Sequence, residues 1–188
     1  MDIADPERTH DEPNDGGGVV AQGIDQGGAF FARLEGAWYD SGVIYFTSTS
    51  GGAAEEGQIW CYDPRREKLT MIYESPEALV LNNPDNITVS PRGGILLCED
   101  GGGVTDGADS FLRFESLMGL SPDGYVFSFA ENNIVLETSP NGVVEPGDYR
   151  TLEWAGATFS PDGRILFVNI QTPGVTFAIT GPWNKGVL

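Results

Sequence analysis

The sequence predicts an all-β domain built as a partial β-propeller of about three to four blades. The chain has 26 glycines and 12 prolines among many short apolar runs, and both residues interrupt helices. Three segments repeat an apolar run, Ser-Pro-x-Gly and a second apolar run, with serines at 90, 121 and 160. Their spacings of 31 and 39 residues approach the roughly 40–50 residues of a four-stranded propeller blade. A β-sandwich that uses the same hairpin turns is the alternative.

Composition divides the chain into two regions. Residues 1–28 are rich in Asp, Gly, Pro and Asn with hardly any apolar periodicity, which predicts a flexible acidic leader. Residues 29–188 carry the regular apolar runs and are expected to form the partial propeller domain.

The first part of that domain reads as strand, turn, strand. Val43–Ser48 is predicted to be a strand that ends in a Ser-Gly-Gly turn. Gln58–Tyr62 and Leu69–Glu74 follow as the two strands of a hairpin, because both runs are rich in β-formers and a charged turn joins them. Residues 75–83 are predicted to be a loop with room for one short helical turn.

The charge balance bears on the partners of this chain. There are 28 acidic and 10 basic residues, for a net charge of −18. Nucleic acid is not an expected partner, because phosphate contacts need lysine and arginine. An anionic substrate would need a local cation. A salt-adapted source and ordinary solubilising charge are both consistent with this composition.

Targeting signals are not evident in the sequence. No run reaches the roughly 18 apolar residues that a membrane span needs, and no basic segment followed by an apolar segment marks a signal peptide. If the chain is the whole product, a cytoplasmic location is expected. Cys61 and Cys98 lie in apolar strand-like runs without CxxC spacing, which favours structural thiols over a disulfide or a metal pair.

The segment FARLEGAW, residues 31–38, carries the first candidate site residues. In an extended chain, residues i and i+2 point to the same side, so Arg33 and Glu35 would project into one space while Leu34 packs the other way. The alternative is a surface ion pair on a strand edge.

Further acidic residues stand at the ends of the Ser-Pro-x-Gly units. Asp85 comes just before the first unit and Glu99 just after it, while Glu153 precedes the last unit in the corresponding place. Equivalent strand ends of successive blades converge near the channel of a propeller, so these carboxylates are expected to lie together. Clustered carboxylates repel unless a cation neutralises them, and Ca²⁺ takes oxygen ligands, as does Fe³⁺. Asn86 and Asp100 are secondary candidates. Taken singly, each acid also fits a turn cap or a solvated loop residue.

Several long segments, in order, resemble the C-terminal half of the PhoX family of alkaline phosphatases. The resemblance covers most of the chain between Phe30 and Trp183. It is carried by RLEGAWYDSGVIYFTSTSGG, GQIWCYDP, NNPDNITVSPRGGILLCEDG and EWAGATFSPDGRILFVNIQTPGVTFAITGPW.

This resemblance implies a function. Members of the family are six-bladed propellers, exported by the twin-arginine route to the periplasm or beyond, that use calcium and iron to hydrolyse phosphate monoesters. By resemblance, Arg33 would be the catalytic and substrate-binding residue, holding the phosphate, and Glu35 a metal ligand. Asp85, Glu99 and Glu153 would be the further metal ligands.

The chain also departs from the family. The family's N-terminal half, with its own blades and ligands, has no counterpart here, and neither Cys61 nor Cys98 occupies the position of the family's ligand cysteine. Two hypotheses follow: a metal-dependent phosphomonoesterase, or a C-terminal half of one, and a non-catalytic propeller fragment that binds calcium or a partner chain. An open propeller exposes sheet edges, so a homo-oligomer or a complementing N-terminal half is expected.

Overall fold

The computed structural model describes residues 2–6, 18–107 and 110–188. The chain divides into two compact units, Met1–Phe31 and Ala32–Leu188. Among the described residues, no helix combines the length and apolar character that crossing a membrane requires.

The first unit contains the helix α1, Gly18–Asp25. The Gln22 side chain forms a pair of hydrogen bonds with the backbone of Asp5, and Gln26 does the same with Asp2. The predicted leader, residues 1–28, therefore includes a helix in its described part. Residues 1 and 7–17 of that leader lie outside the described residues, and its flexibility stays a prediction.

The regular secondary structure of the second unit consists mainly of strands. The 3₁₀ helix Pro140–Gly142 lies between two of the strands, and the 3₁₀ helix Trp183–Lys185 follows the last one. The strands are β1 (Leu34–Asp40), β2 (Val43–Ser48), β3 (Gln58–Asp63), β4 (Lys68–Glu74), β5 (Pro84–Val89), β6 (Ile95–Glu99), β7 (Val104–Thr105), β8 (Phe111–Arg113), β9 (Ser116–Leu120), β10 (Val126–Glu131), β11 (Val135–Leu136), β12 (Gly147–Asp148), β13 (Trp154–Phe159), β14 (Ile165–Ile170) and β15 (Val175–Thr180).

These strands form three antiparallel, blade-like sheets. Blade 1 has the order β1-β2-β3-β4, blade 2 the order β5-β6-β9-β10, and blade 3 the order β13-β14-β15. The small hairpins β7-β8 and β11-β12 are inserted in the connections. The prediction of an all-β, propeller-like fragment of three to four blades is confirmed.

The local predictions in blade 1 are mostly right. The strand Val43–Ser48 has the predicted bounds, and both strands of the hairpin lie where the β-rich runs placed them. The prediction of an extended Arg33 is wrong. Its φ is 51°, in the left-handed region, and β1 begins only at Leu34. Strand alternation therefore does not determine how Arg33 and Glu35 are related.

The Ser-Pro-x-Gly motifs form hairpin turns, as predicted, but they do not mark the blade period. In each, the backbone N–H of the motif glycine donates to the carbonyl of the motif serine. Ser90 and Ser160 lie between the first two strands of blades 2 and 3, whereas Ser121 lies between the last two strands of blade 2. The spacings of 31 and 39 residues are therefore distances between turns at different positions within a blade, and neither equals the length of one blade.

Blade 2 separates two apolar cores. All five residues of β6 are buried, and successive side chains of a strand point to opposite faces. Ile95 and Leu97 join the core against blade 1, which also contains Ile59, Leu81, Ile87, Val89, Met118 and Leu120. Leu96 and Cys98 join the core against blade 3, which also contains Leu117, Trp154, Ala157, Leu166, Val168, Ile170, Trp183 and Leu188. Cys61 and Cys98 are free thiols.

The first strands of the three blades, β1, β5 and β13, lie side by side, with β5 in contact with both others. Each has an irregular register near its beginning. The pairing shifts between Leu34 and Ala37 in β1, between Pro84 and Ile87 in β5, and between Ala155 and Thr158 in β13. Such bulges redirect side chains and are common next to functional sites.

Polar bonds join the bulges of neighbouring blades. The Thr47 hydroxyl accepts a hydrogen bond from the Gly36 amide at 2.9 Å and donates to the Asp85 carbonyl at 2.8 Å. On the other side of β5, the Asn86 side-chain oxygen accepts a hydrogen bond from the Gly156 amide at 2.6 Å. These bonds fix β1 and β13 to β5 where the bulges occur.

We expect Gly36→Ala to destabilise the domain. A Cβ at this position would lie 2.5 Å from the Asp85 carbonyl oxygen and 2.9 Å from the Ile87 nitrogen, and both are backbone atoms. Overpacking of this kind costs about 1–3 kcal/mol, which urea unfolding would measure. Gly186→Ala is the matched control, since Gly186 has extended backbone and no atom would lie within 4 Å of its new Cβ. Equal stability of the two variants would contradict the close packing of β1 on β5.

Candidate metal centre

Three carboxylates converge near the bulges of β5 and β13. Asp85 lies in β5, Asp100 follows β6 directly, and Glu153 precedes β13. One carboxylate oxygen from each lies within 4.8 Å of one from each of the others. The pairing of Pro84 with Glu99 brings the end of β6 beside the start of β5, and the Asp100 amide donates to the Asn83 carbonyl at 3.1 Å.

The electrostatics of this acidic cluster favour a bound cation. Burial, together with the negative charges of Glu35 and Asp100, raises the pKa of Asp85 from 3.8 to about 6, against the opposing effect of Arg33. Burial and the charges of Asp100, Asp85 and Glu35 raise the pKa of Glu153 from 4.5 to about 7. The cluster therefore holds more negative charge than its surroundings stabilise, and a positive ion would relieve it.

Asp85 shows the same imbalance at the level of one atom. Its residue is 8% exposed, and its Oδ1 has no hydrogen-bond partner among the described residues. A buried carboxylate oxygen is normally hydrogen-bonded, because leaving it bare loses its hydration without replacement. Asp85 therefore offers a free acceptor oxygen and belongs to the group of three carboxylates. A metal ligand needs both a free acceptor and neighbouring ligands.

Arg33 and Glu35 stand at the exposed side of the cluster. The Arg33 Nη2 lies 3.1 Å from Asp100 Oδ2, and the Arg33 side chain keeps 46% of its surface exposed. The Arg33 carbonyl accepts a hydrogen bond from the Thr49 amide at 2.8 Å, which fixes the backbone. Glu35 is exposed and close enough to raise the pKa values of both Asp85 and Glu153. The guanidinium is thus tethered to the acidic cluster with free donor capacity towards solvent.

Glu99 is not a member of the cluster. It is 1% exposed and forms a two-contact ion pair with Arg113, at 2.5 and 2.8 Å. The amides of Asn82 and Ser116 donate to the same carboxylate at 2.8 and 3.2 Å. Because both oxygens are engaged, the geometry favours a structural role, and the assignment of Glu99 as a metal ligand stays a prediction without support from the geometry.

Of the four acids predicted as ligands, the structure groups Asp85 and Glu153, places Glu35 near them and sets Glu99 apart. Asp100, a secondary candidate in the sequence, occupies the position in the cluster that was predicted for Glu99. The sequence signal that could have favoured Asp100 is the run Gly101–Gly103, which indicates that the strand ends and the chain turns just after Asp100. Asn86, the other secondary candidate, uses its side-chain oxygen to bind the Gly156 amide.

The donor set fits a hard cation. All the grouped ligands are carboxylate oxygens, which suit Ca²⁺ and also Fe³⁺, whereas soft ions prefer sulfur. Burial raises the pKa of the nearby Cys98 thiol to about 12, and Cys98 packs in the core against blade 3. The grouped carboxylates and the bare Asp85 oxygen together suit a hard cation.

Comparisons with known proteins give the chain a family context. A family model for alkaline phosphatase PhoX matches residues 3–174. No curated protein matches the chain. Among solved structures, PhoX from Pseudomonas fluorescens in complex with vanadate, a transition state analogue, has a TM-score of 0.55 and 18% identity, and the match covers 88% of this chain and 33% of that one. The chain thus spans about a third of that structure, and the likeness concerns the fold.

Two further structures are more distant. A candidate gluconolactonase has a TM-score of 0.46 and 14% identity, over 81% of this chain and 61% of that one. A candidate 6-phosphogluconolactonase from Bacteroides uniformis has a TM-score of 0.44 and 16% identity, over 82% and 40%.

We expect the metal-free protein to lose stability as the pH rises from about 4.5 to about 7. The folded-state pKa of Glu153 lies near 7 and that of Asp85 near 6, both above their ordinary values. The folded chain therefore binds more protons than the unfolded chain in this window, and stability falls as pH increases through it. Urea unfolding across this range would measure the slope.

Glu153→Gln should flatten that slope, because the variant removes one of the titrating groups. Glu137→Gln removes an equal charge from an exposed residue outside the cluster, and it should leave the slope as in the wild type. A wild-type slope in Glu153→Gln would show that the cluster does not strain this carboxylate.

Proposed function

Because the chain belongs to the PhoX family of alkaline phosphatases, we propose that its acidic cluster serves the metal-dependent hydrolysis of phosphate monoesters. The proposal covers two cases, in which the chain is either an active phosphomonoesterase or the C-terminal half of an active site completed by another segment. The observation that carries it is the convergence of Asp85, Asp100 and Glu153, with one buried oxygen left bare, beside the exposed guanidinium of Arg33.

In this proposal the acidic residues hold the cation. Asp85, Glu153 and Asp100 supply grouped oxygens, and Glu35 adds a fourth carboxylate at the exposed side. The family resemblance indicates calcium and iron as the ions. A bound cation would supply charge to polarise the phosphoryl oxygens and lower the pKa of an attacking oxygen.

Arg33 is proposed to bind the substrate phosphate. Its planar guanidinium presents several donors that match phosphate oxygens. One terminal nitrogen, Nη2, donates to Asp100 Oδ2 at 3.1 Å. The left-handed backbone at Arg33, with φ of 51°, is an uncommon conformation for a residue other than glycine. Such conformations cluster at functional sites, which supports a role for this residue beyond surface charge.

Charge also sets an order of binding. A phosphate monoester is an anion near neutral pH, and the chain carries a net charge of −18. The acidic cluster repels that anion until a cation neutralises it. The metal therefore binds before the ester in this proposal, and Arg33 alone would not offset the four neighbouring carboxylates.

The alternative is a non-catalytic propeller fragment that binds calcium or a partner chain. The specific observation that favours it is the coverage, since the match spans only 33% of the Pseudomonas fluorescens structure. A second copy of the chain and a separate N-terminal half are both candidate partners. Family membership further supports an exported location, which cell fractionation would test.

The proposal predicts that the purified chain, supplied with Ca²⁺ and Fe³⁺, releases p-nitrophenol from p-nitrophenyl phosphate. Chelation should abolish release, and vanadate, which the Pseudomonas fluorescens protein binds, should inhibit it. Arg33→Ala should lower kcat/KM about 100-fold or more, by analogy with loss of one charge-stabilising donor. Glu35→Ala should weaken activation by Ca²⁺.

Arg65→Ala is the matched control for Arg33→Ala. Arg65 is an exposed arginine in the turn between β3 and β4. This turn lies at one end of blade 1, and Leu34 lies at the other end. The loss of Arg65 should therefore leave kcat/KM unchanged. A folded chain that binds Ca²⁺ but releases no p-nitrophenol, alone or with an added N-terminal half, would favour the non-catalytic alternative.

A further inference from the structure

Glu115 is a buried acid that the proposed function does not use. It lies between β8 and β9 and has no exposed surface. Its Oε1 accepts a hydrogen bond from the Gly103 amide at 2.6 Å. Its Oε2 has no hydrogen-bond partner among the described residues.

The loop that Glu115 holds comes directly after Asp100. Gly102 and Gly103 both have positive φ, 82° and 83°, a conformation that favours glycine. This backbone lets the Gly103 amide point at the Glu115 carboxylate. The side chain of Glu115 therefore fixes the chain three residues beyond Asp100.

The backbone of Glu115 is itself firmly placed. Its amide donates to the Arg150 carbonyl at 3.2 Å, and its carbonyl accepts from the Asn132 amide at 2.7 Å and from the Trp154 indole at 3.0 Å. Trp154 is buried and follows Glu153 in sequence. Glu115 thus connects the loop after Asp100 to the part of blade 3 that carries Glu153.

Fold stability alone does not account for this residue. A buried carboxylate with one bare oxygen is unfavourable, and the nearby charges of Glu99 and Asp100 add repulsion, so that burial raises the pKa of Glu115 to about 7. A neutral side chain of similar volume would avoid that cost.

We propose that Glu115 is a positioning residue, which holds the Gly102–Gly103 turn so that the Asp100 carboxylate is oriented towards the other ligands of the acidic cluster. The inference rests on the proposed function, because it assigns Asp100 to a cation site. Buried groups that orient ligands typically change metal affinity about 10- to 100-fold when they are lost.

The test measures Ca²⁺ affinity by calorimetry in three variants of Glu115. Glu115→Ala removes the acceptor and should weaken Ca²⁺ binding about tenfold or more. Glu115→Gln retains an oxygen acceptor for the Gly103 amide, and its affinity should stay within about threefold of the wild type. Glu115→Asp keeps the charge but withdraws it by one methylene, so it should behave like Glu115→Ala and carries the test if the alanine variant does not fold.

A double-mutant cycle separates positioning from general damage. In an Asp100→Ala background, adding Glu115→Ala should change Ca²⁺ affinity far less than it does in the wild type, because the ligand to be positioned is already gone. An undiminished effect in that background would overturn the proposal, as would an alanine or aspartate variant with wild-type affinity.

Hydrogen exchange in the metal-free protein provides a readout that needs no ion. The Gly103 amide should exchange faster in Glu115→Ala than in Glu115→Gln, while the amides of β6 keep their protection. Equal exchange in both variants would overturn the anchoring step. Ca²⁺ binding with the expected coupling but without ester hydrolysis, both alone and with an added N-terminal half, would refute the proposed function only. Ca²⁺ binding without the coupling would refute this inference only. A wild-type chain that binds no Ca²⁺ would refute both.

Discussion

The arrangement of this domain depends on two hydrogen-bonded joints between the first strands of neighbouring blades. Thr47 connects the bulge of β1 to the Asp85 carbonyl, and Asn86 connects the bulge of β5 to the Gly156 amide. Apolar cores alone would hold the sheets together, but they are non-directional. The joints fix the relative height of neighbouring strands, and with it the distance between carboxylates from different blades. Without that alignment, Glu153 would be separated from Asp85 and Asp100, which the pairing of β5 with β6 holds together in blade 2.

The charges around these joints form two layers. At the exposed side, Arg33 neutralises only part of the charge of the acidic cluster, which leaves the pKa values of Asp85 and Glu153 raised. Beneath it, Glu99 is fully paired with Arg113, and Glu115 holds a glycine turn. In the lower layer both oxygens of Glu99 accept hydrogen bonds, whereas the upper layer has a surplus of acceptors. That surplus is what distinguishes a site for a positive ion from a structural network of charges.

Much of this organisation could be predicted from sequence, because it depends on local patterns. The strand Val43–Ser48, the turns at Ser-Pro-x-Gly and the closeness of Asp85 to Glu153 follow from β-propensity, turn chemistry and equivalent positions in successive sheets. Which of Glu99 and Asp100 belongs to the acidic cluster could not be predicted from local patterns, because a shift of one residue moves a side chain to the other face of a strand. Arg113, the partner of Glu99, comes from the inserted hairpin β7-β8, and the left-handed backbone of Arg33 has no signal in its residue type.

The double-sided burial of β6 has a consequence for how the domain comes apart. Successive side chains of β6 alternate between the two cores, so blade 2 has no core of its own. It therefore cannot stay folded once either neighbouring blade has unfolded. Loss of an outer blade would expose half of β6 and weaken the middle sheet at once. Blades 1 and 2, and blades 2 and 3, therefore behave as overlapping cooperative units, and a shortened descendant of this domain would have to replace a lost blade with another sheet rather than do without it.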